Sequence, residues 1–159
     1  TAPDKECTEE MKAYIHDLNA MYRSCPALYA MDGNSDGFEW IQFTNYDENI
    51  VAFLRKTEKM EETLLIVCNF SPVSYDSYQV GVPFAGKYKE IFNSDNGKYG
   101  GLGVVNTRSK NAVHAECDNR ENSLKMKLPA YGVTVFSCTP EKKVSSVKRV
   151  GKKVKISRK

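Results

Sequence analysis

Between Phe38 and Cys138 the chain is a series of short apolar runs separated by turns rich in Gly, Pro, Asn and Asp. That rhythm limits the folds open to it. The runs cover residues 38–43, 50–54, 63–68, 78–82, 87–92, 112–116, 123–128 and 133–138. In the first, Phe38, Trp40 and Gln42 alternate with Glu39, Ile41 and Phe43. Ile50-Val-Ala-Phe-Leu54 and Thr63-Leu-Leu-Ile-Val-Cys68 are continuously apolar and flank a charged stretch at 56–62. This predicts a β-hairpin at the centre of a buried sheet. Several short strands with such punctuation predict an antiparallel sandwich or barrel of Greek-key type. At 159 residues there is room for one domain that buries about two-thirds of its unfolded surface.

Before Phe38 the period changes. Met11, Tyr14, Ile15, Leu18, Met21 and Tyr22 recur at intervals of three and four, which places one apolar stripe on a helix. Pro26 interrupts it, with Ser24 as a cap for a short helical turn through Leu28 and Tyr29. The turn cluster Asp32-Gly-Asn-Ser-Asp-Gly37 closes the helical part. The expected division is a helical segment 1–36, a β-domain 37–140 and a basic tail 141–159.

The charge is unevenly spread. Residues 142–159 hold nine Lys/Arg and no Asp/Glu, so residues 1–141 keep 14 basic and 20 acidic side chains, a net charge of −6. The tail is expected to be a solvated, disordered extension. It alone raises the pI to 8.5, so no nucleic-acid partner is expected for the body. No apolar run approaches the roughly 18 residues that span a bilayer, so no membrane partner is expected. The polar start Thr1-Ala-Pro-Asp-Lys-Glu has no signal-peptide pattern, and the absent initiator Met agrees with a fragment. The five cysteines are odd in number with no Cys-x-x-Cys spacing, which predicts free thiols in a reducing cytoplasm. Only His16 and His114, far apart, could join them as ligands, so no metal or other cofactor is expected.

Few residues carry chemistry. Glu39, Asp47, Glu90, Asp95 and Glu116 are scattered over strands and turns and suggest no pair. Asp95 is expected to shape its loop through bonds from side chain to backbone. Tyr99-Gly-Gly-Leu-Gly103 lacks the Lys-Ser/Thr of a phosphate loop and reads as a tightly turned or flexible connection. Trp40, the one tryptophan, stands beside Phe38 and Glu39. An indole next to a carboxylate suits a sugar ring, but on composition alone a lone strand tryptophan reads as core.

Four segments occur in a fixed order: Pro26-Ala-Leu-Tyr29, Gly37-Phe-Glu-Trp-Ile41, Val67-Cys-Asn-Phe-Ser-Pro72, and Asn93-Ser-Asp95 leading into Tyr99-Gly-Gly-Leu-Gly103. With Asn49-Ile-Val-Ala-Phe-Leu-Arg55 and the closing Ser123-Leu-Lys-Met-Lys-Leu-Pro129, they resemble the C-terminal all-β domain of bacterial-type 1,4-α-glucan (glycogen) branching enzymes, in the α-amylase superfamily. Tyr14-Ile-His-Asp-Leu-Asn-Ala-Met-Tyr22 is similar to that family's last barrel helix. The resemblance implies a mainly β fold, an antiparallel Greek-key β-sandwich, preceded by a helix left from a catalytic (β/α)8 barrel. In that family the catalytic carboxylates belong to the barrel, and none of its catalytic motifs occurs in this chain. No catalytic residue is therefore carried over, and the chain alone is expected to be inactive. The implied partners are the barrel and an α-glucan, and the implied pathway is cytoplasmic glycogen biosynthesis. The resemblance also implies that the Phe-Glu-Trp segment lies near the barrel's substrate side. That makes Trp40 the leading candidate for a glucan contact, with Phe38 and Glu39 in support. The rivals are an independent carbohydrate-binding module, which nine Tyr and seven Phe could supply, and a nucleic-acid-associated protein acting through the tail.

Overall fold

The alternating and continuous runs become strands in the computed structural model, which describes residues 5–44 and 47–141. In chain order the main elements are helix α1 (Lys5–Ser24) and strands β1 (Phe38–Gln42), β2 (Ile50–Arg55), β3 (Leu64–Asn69), β4 (Tyr75–Val82), β5 (Gly86–Asn93), β6 (Lys110–Asn111), β7 (Asn122–Leu128) and β8 (Val133–Pro140). Six strands form one sheet in the order β1-β2-β3-β8-β5-β6, and β4 pairs with β7 in a second. Every pairing is antiparallel. The chain leaves the large sheet for β4, returns at β5, leaves again for β7 and returns as β8 between β3 and β5. The result is the mainly β, antiparallel sandwich with an N-terminal helix that the sequence predicts. The tail expected at 141–159 lies, from 142 on, outside the described residues.

Alternation decides what each strand buries. From the large sheet Ile41, Ile50, Ala52, Leu54, Leu65, Val67, Tyr88, Phe136 and Cys138 point into the sandwich. Tyr78, Val80, Val82, Leu124, Met126 and Leu128 meet them from the small sheet. Burial of one such aliphatic or aromatic side chain contributes about 1.5–3 kcal/mol. The hairpin β2–β3 runs in register from Ile50↔Asn69 to Arg55↔Leu64, flanked by β1 and β8. Asn69 ends β3 with its amide donating to the Val73 and Pro129 carbonyls at 2.8 Å each, while its oxygen accepts from Ser71. The Asn-Phe-Ser-Pro segment is thus a buried polar clamp.

A second core lies on the opposite face of the large sheet. There Leu64, Ile66, Phe92 and Val135 pack with Tyr14, Leu18 and Met21 of α1 and with Ala27 and Leu28. The helical stripe therefore splits. Tyr14, Leu18 and Met21 dock, whereas Met11, Ile15 and Tyr22, one step round the helix, stay exposed. The Asp17 carboxylate secures the docking, accepting from the Tyr99 hydroxyl at 2.8 Å and from the Lys98 ammonium.

The Asp95 loop is ordered as expected. Its carboxylate accepts the Leu102 and Val104 amides at 2.9 and 2.8 Å, and its carbonyl accepts that of Gly103. A Cβ on Gly101 would lie 2.3 Å from the Asp95 backbone, so this glycine allows the close approach. One strand is not as expected. Residues 112–116 contribute only an isolated bridge, Val113↔Ser123, and β6 precedes them. Ala112 packs against the sandwich core, but Val113, His114 and Glu116 all face solvent, so the run buries too little to hold as a strand. His114 is accordingly a loop residue.

The two helical faces predict different costs. Leu18→Ala is expected to lower stability by about 1–3 kcal/mol. Met11→Ala should change it by under about 0.5 kcal/mol. Urea melts of both variants check this, and equal losses would contradict the docking described.

Candidate functional site

β1 is an edge strand, and its side chains divide between two environments. Phe38 and Trp40 lie on the outer face, beside Phe53 of β2, whose Cα is the register partner of Trp40. The Phe38 ring stacks on Phe53 at 5.3 Å between centroids and meets Trp40 edge-on at 4.9 Å. Trp40 also meets Phe53 edge-on at 5.8 Å. Phe43 stands 5.7 Å away on its other side, tilted by 44°. Trp40 is 47% exposed and Phe43 55%, while Phe38 and Phe53 are half-buried beneath them. The indole is therefore a supported surface ring and belongs to neither core.

Strict alternation would put Phe43 on the face opposite Trp40. The register shifts between Trp40 and Gln42, where an irregularity reorients the strand. Ile41 is buried in the sandwich, and Gln42 accepts from the Tyr78 hydroxyl at 2.8 Å. Phe43 then falls beside Trp40. The start of β1 is set by Gly37: a Cβ there would sit 2.7 Å from the Met31 carbonyl oxygen, so the turn before the strand requires glycine.

Glu39 projects away from the rings. Its carboxylate accepts from Lys56 Nζ at 2.6 Å and, through the other oxygen, from the Arg120 guanidinium. Partial burial raises its pKa, but the hydrogen bonds and charges of Lys56 and Arg120 outweigh this and hold the carboxyl below the usual glutamate range. Of the three residues singled out from the sequence, Phe38 and Trp40 share one surface and Glu39 is engaged elsewhere. Phe43, Phe53, Lys56 and Arg120 escaped the sequence reading. Phe53 sat in a run read only as core, and the pairing of Glu39 with Arg120 has no local signal.

Of the remaining candidate acids, Glu90 and Asp95 are engaged within the fold, while Asp47 and Glu116 are exposed. Glu90 accepts from Asn93 and Asn106, and Asp95 holds its own loop. His16 is exposed beside Asp17, and His114 lines a polar cleft with Glu116, Asn119, Arg120 and Glu121. Burial pushes the Cys138 thiol up to about 12, and burial with the Asp118 charge pushes Cys117 to about 11. Both are protonated, poor nucleophiles at neutral pH. Among the described residues no group of three or more His, Cys, Asp or Glu is arranged to hold a metal ion. Among them, too, no helix is long and apolar enough to cross a membrane.

Residues 40–139 match the family described as alpha amylase, C-terminal all-beta domain. The chain belongs to this family. Among its relatives are proteins named 1,4-alpha-glucan branching enzyme GlgB. That of Oceanobacillus iheyensis is 40% identical over 129 residues, covering 81% of this chain and 20% of the relative. That of Synechococcus elongatus is 44% identical over 119 residues, covering 75% and 15%. That of Bacillus cereus strain Q1 is 36% identical over 151 residues, covering 92% and 23%. The chain thus spans about a fifth of the length of the curated relatives it matches. The longest of these matches extends beyond the alpha-amylase C-terminal domain itself.

Two measurements follow from the site. Trp40→Ala removes a half-exposed ring and its three aromatic contacts and should cost about 1–3 kcal/mol in a denaturant melt, against about 3–5 kcal/mol for the buried Phe136→Ala. Because the Glu39 pKa is depressed on folding, its contribution is complete above the ordinary glutamate value of about 4.3 and is lost as pH falls through the folded value. Acid melts should therefore show a stability loss that Glu39→Gln makes shallower. An unchanged acid slope would contradict the pairing.

Proposed function

We propose that this chain serves as the non-catalytic C-terminal domain of a 1,4-α-glucan branching enzyme, steadying the catalytic barrel and contributing an aromatic contact to the glucan. The observation that carries this reading is the Trp40 surface on a domain whose relatives are named branching enzymes. An indole face suits the C–H face of a glucose ring. Phe38 supports the ring from beneath, and Phe43 extends the surface. Branch formation cleaves an α-1,4 bond and rejoins the segment as an α-1,6 branch. Such retaining chemistry needs two carboxylates about 5 Å apart. Glu39, Glu90 and Asp95, three of the acids singled out from the sequence, are already bound to partners within the fold. The barrel would supply the carboxylates, and the exposed Met11, Ile15 and Tyr22 face of α1 would lie against it. The setting is cytoplasmic, with no role for nucleic acid, membrane or cofactor.

The exposure of both Trp40 and Phe43 also suits an independent carbohydrate-binding module. The two readings separate on isolated binding, since a module retains glucan affinity without a barrel.

Incubated with amylose, the purified chain should leave the iodine absorbance and the proton NMR signal of α-1,6 linkages unchanged. New branch points above the no-protein control would overturn the reading. In an intact branching enzyme carrying this domain, Trp40→Ala should alter the chain-length distribution of the product. An unchanged distribution would remove Trp40 from the glucan contact.

A further inference from the structure

Among the described residues β1 has a hydrogen-bonded neighbour, β2, on one side alone; it carries the exposed Trp40, and Phe43 follows directly after it. An edge strand of five residues has little of its own to fix its tilt. Two polar ties join it to the rest of the sandwich. After the register shift, Gln42 accepts from Tyr78 of β4 in the small sheet. Before it, Glu39 accepts from Lys56, just past β2, and from Arg120, in the turn that leads into β7. Trp40 lies between the two ties.

Arg120 is itself held in place. It sits in a tight reversal closed by reciprocal backbone hydrogen bonds with Cys117 at 2.9 and 3.0 Å. Asp118 and Asn119 take the left-handed conformation there, at φ 50° and 58°. The Asp118 carboxylate accepts the Gly81 amide of β4 at 2.7 Å, which anchors the reversal to the small sheet. The guanidinium thus reaches from a rigid turn on one sheet to a carboxylate on the edge of the other. The contact is one charge-assisted hydrogen bond, from Arg120 Nη2 to one Glu39 oxygen, while Lys56 holds the other oxygen.

We propose that Arg120, with Lys56, is a positioning residue for glucan recognition: through Glu39 it latches the edge strand so that Trp40 and Phe43 present one surface. This rests on the glucan reading given above. Glu39 then serves as the latch and not as a ligand for sugar hydroxyls. Both its oxygens are engaged, and it projects to the side of the strand away from the rings.

Trp40 is the one tryptophan, so its fluorescence reports on the strand directly. In this chain, Arg120→Gln and Glu39→Gln should each shift the emission to longer wavelength and raise quenching by iodide. Each should weaken maltoheptaose affinity about three- to tenfold. The double variant should add little to either single one, because both break the same contact. Arg120→Lys keeps the charge without the guanidinium and should fall between. It also serves where a Gln variant fails to fold, as judged by far-UV circular dichroism. Unchanged emission and quenching in the variants would overturn the latch. So would weakened binding in Glu39→Gln alone with Arg120→Gln like the wild type, which would make Glu39 a direct ligand. Emission and quenching need no sugar, so the latch is tested even if maltoheptaose does not bind. Failure of the glucan reading is separate: Trp40→Ala would then leave maltoheptaose affinity unchanged.

Discussion

Strand β3 buries both of its faces. Leu65 and Val67 belong to the sandwich core with Val80 and Leu124 of the small sheet, while Leu64 and Ile66 lie in the core beneath Tyr14, Leu18 and Met21. A strand covered on both sides needs a continuous apolar run, and Leu-Leu-Ile-Val-Cys supplies it. β8 shares the arrangement, with Phe136 on one side and Val135 on the other. The helix is thus a third layer on the large sheet, and the sheet's centre depends on it.

That cover is partial, and the partial cover creates the site. α1 lies over residues of β3, β5 and β8. The segment after it turns down beside β2, where Arg55 donates to the Ala27 and Leu28 carbonyls at 3.1 and 3.2 Å and pairs with Asp32. The outer face of β1 is left without a helix, and it carries Phe38 and Trp40, joined by Phe43 beyond the strand. Four rings there pack on one another in place of a covering element. Aromatic pairs at such distances are worth about 0.5–1.5 kcal/mol beyond their area burial. A cluster of this kind persists at a surface without collapsing into the core, which leaves an indole face free for a partner.

Period and punctuation made the layers legible: the strands, the central hairpin and the helix were readable from which residues repeat and where Gly, Pro, Asn and Asp interrupt. The role of Asp95 was legible too, because its partners lie within nine residues. What escaped has a common cause. The split of the helical stripe depends on which residues the sheet presents to it. The run expected as a strand at 112–116 keeps one bridge, Val113↔Ser123, because pairing is set by where its neighbours run and not by its own residues. Phe43 reaches Trp40 through a register shift invisible to strict alternation. Glu39 and Arg120 meet across the two sheets, a pairing set by topology and by no local pattern.

The distribution of polar groups bears on what such a domain can do. Asn69, Asn93 and Asn106 are buried; the first two bond the turns around them, and Asn106 ties its loop to Glu90 of β5 and Lys127 of β7. Glu39, Glu90 and Asp95 likewise accept from partners inside the fold. Partial burial pushes the Glu39 carboxyl up, but its bonds to Lys56 and Arg120 outweigh this and hold it as an anion, a poor proton donor, and general acid catalysis needs the opposite bias. Cys117 and Cys138 are biased the other way, toward the protonated form. With Glu39, Glu90 and Asp95 committed to holding turns and edges, the outer face of β1 offers a partner chiefly shape and aromatic surface. On the reading proposed above, such a domain would orient a substrate while the chemistry takes place on another part of the enzyme. On the proposed latch, Glu39 is more useful as a tether than as a ligand, since freeing it for a sugar would loosen the strand that carries the rings.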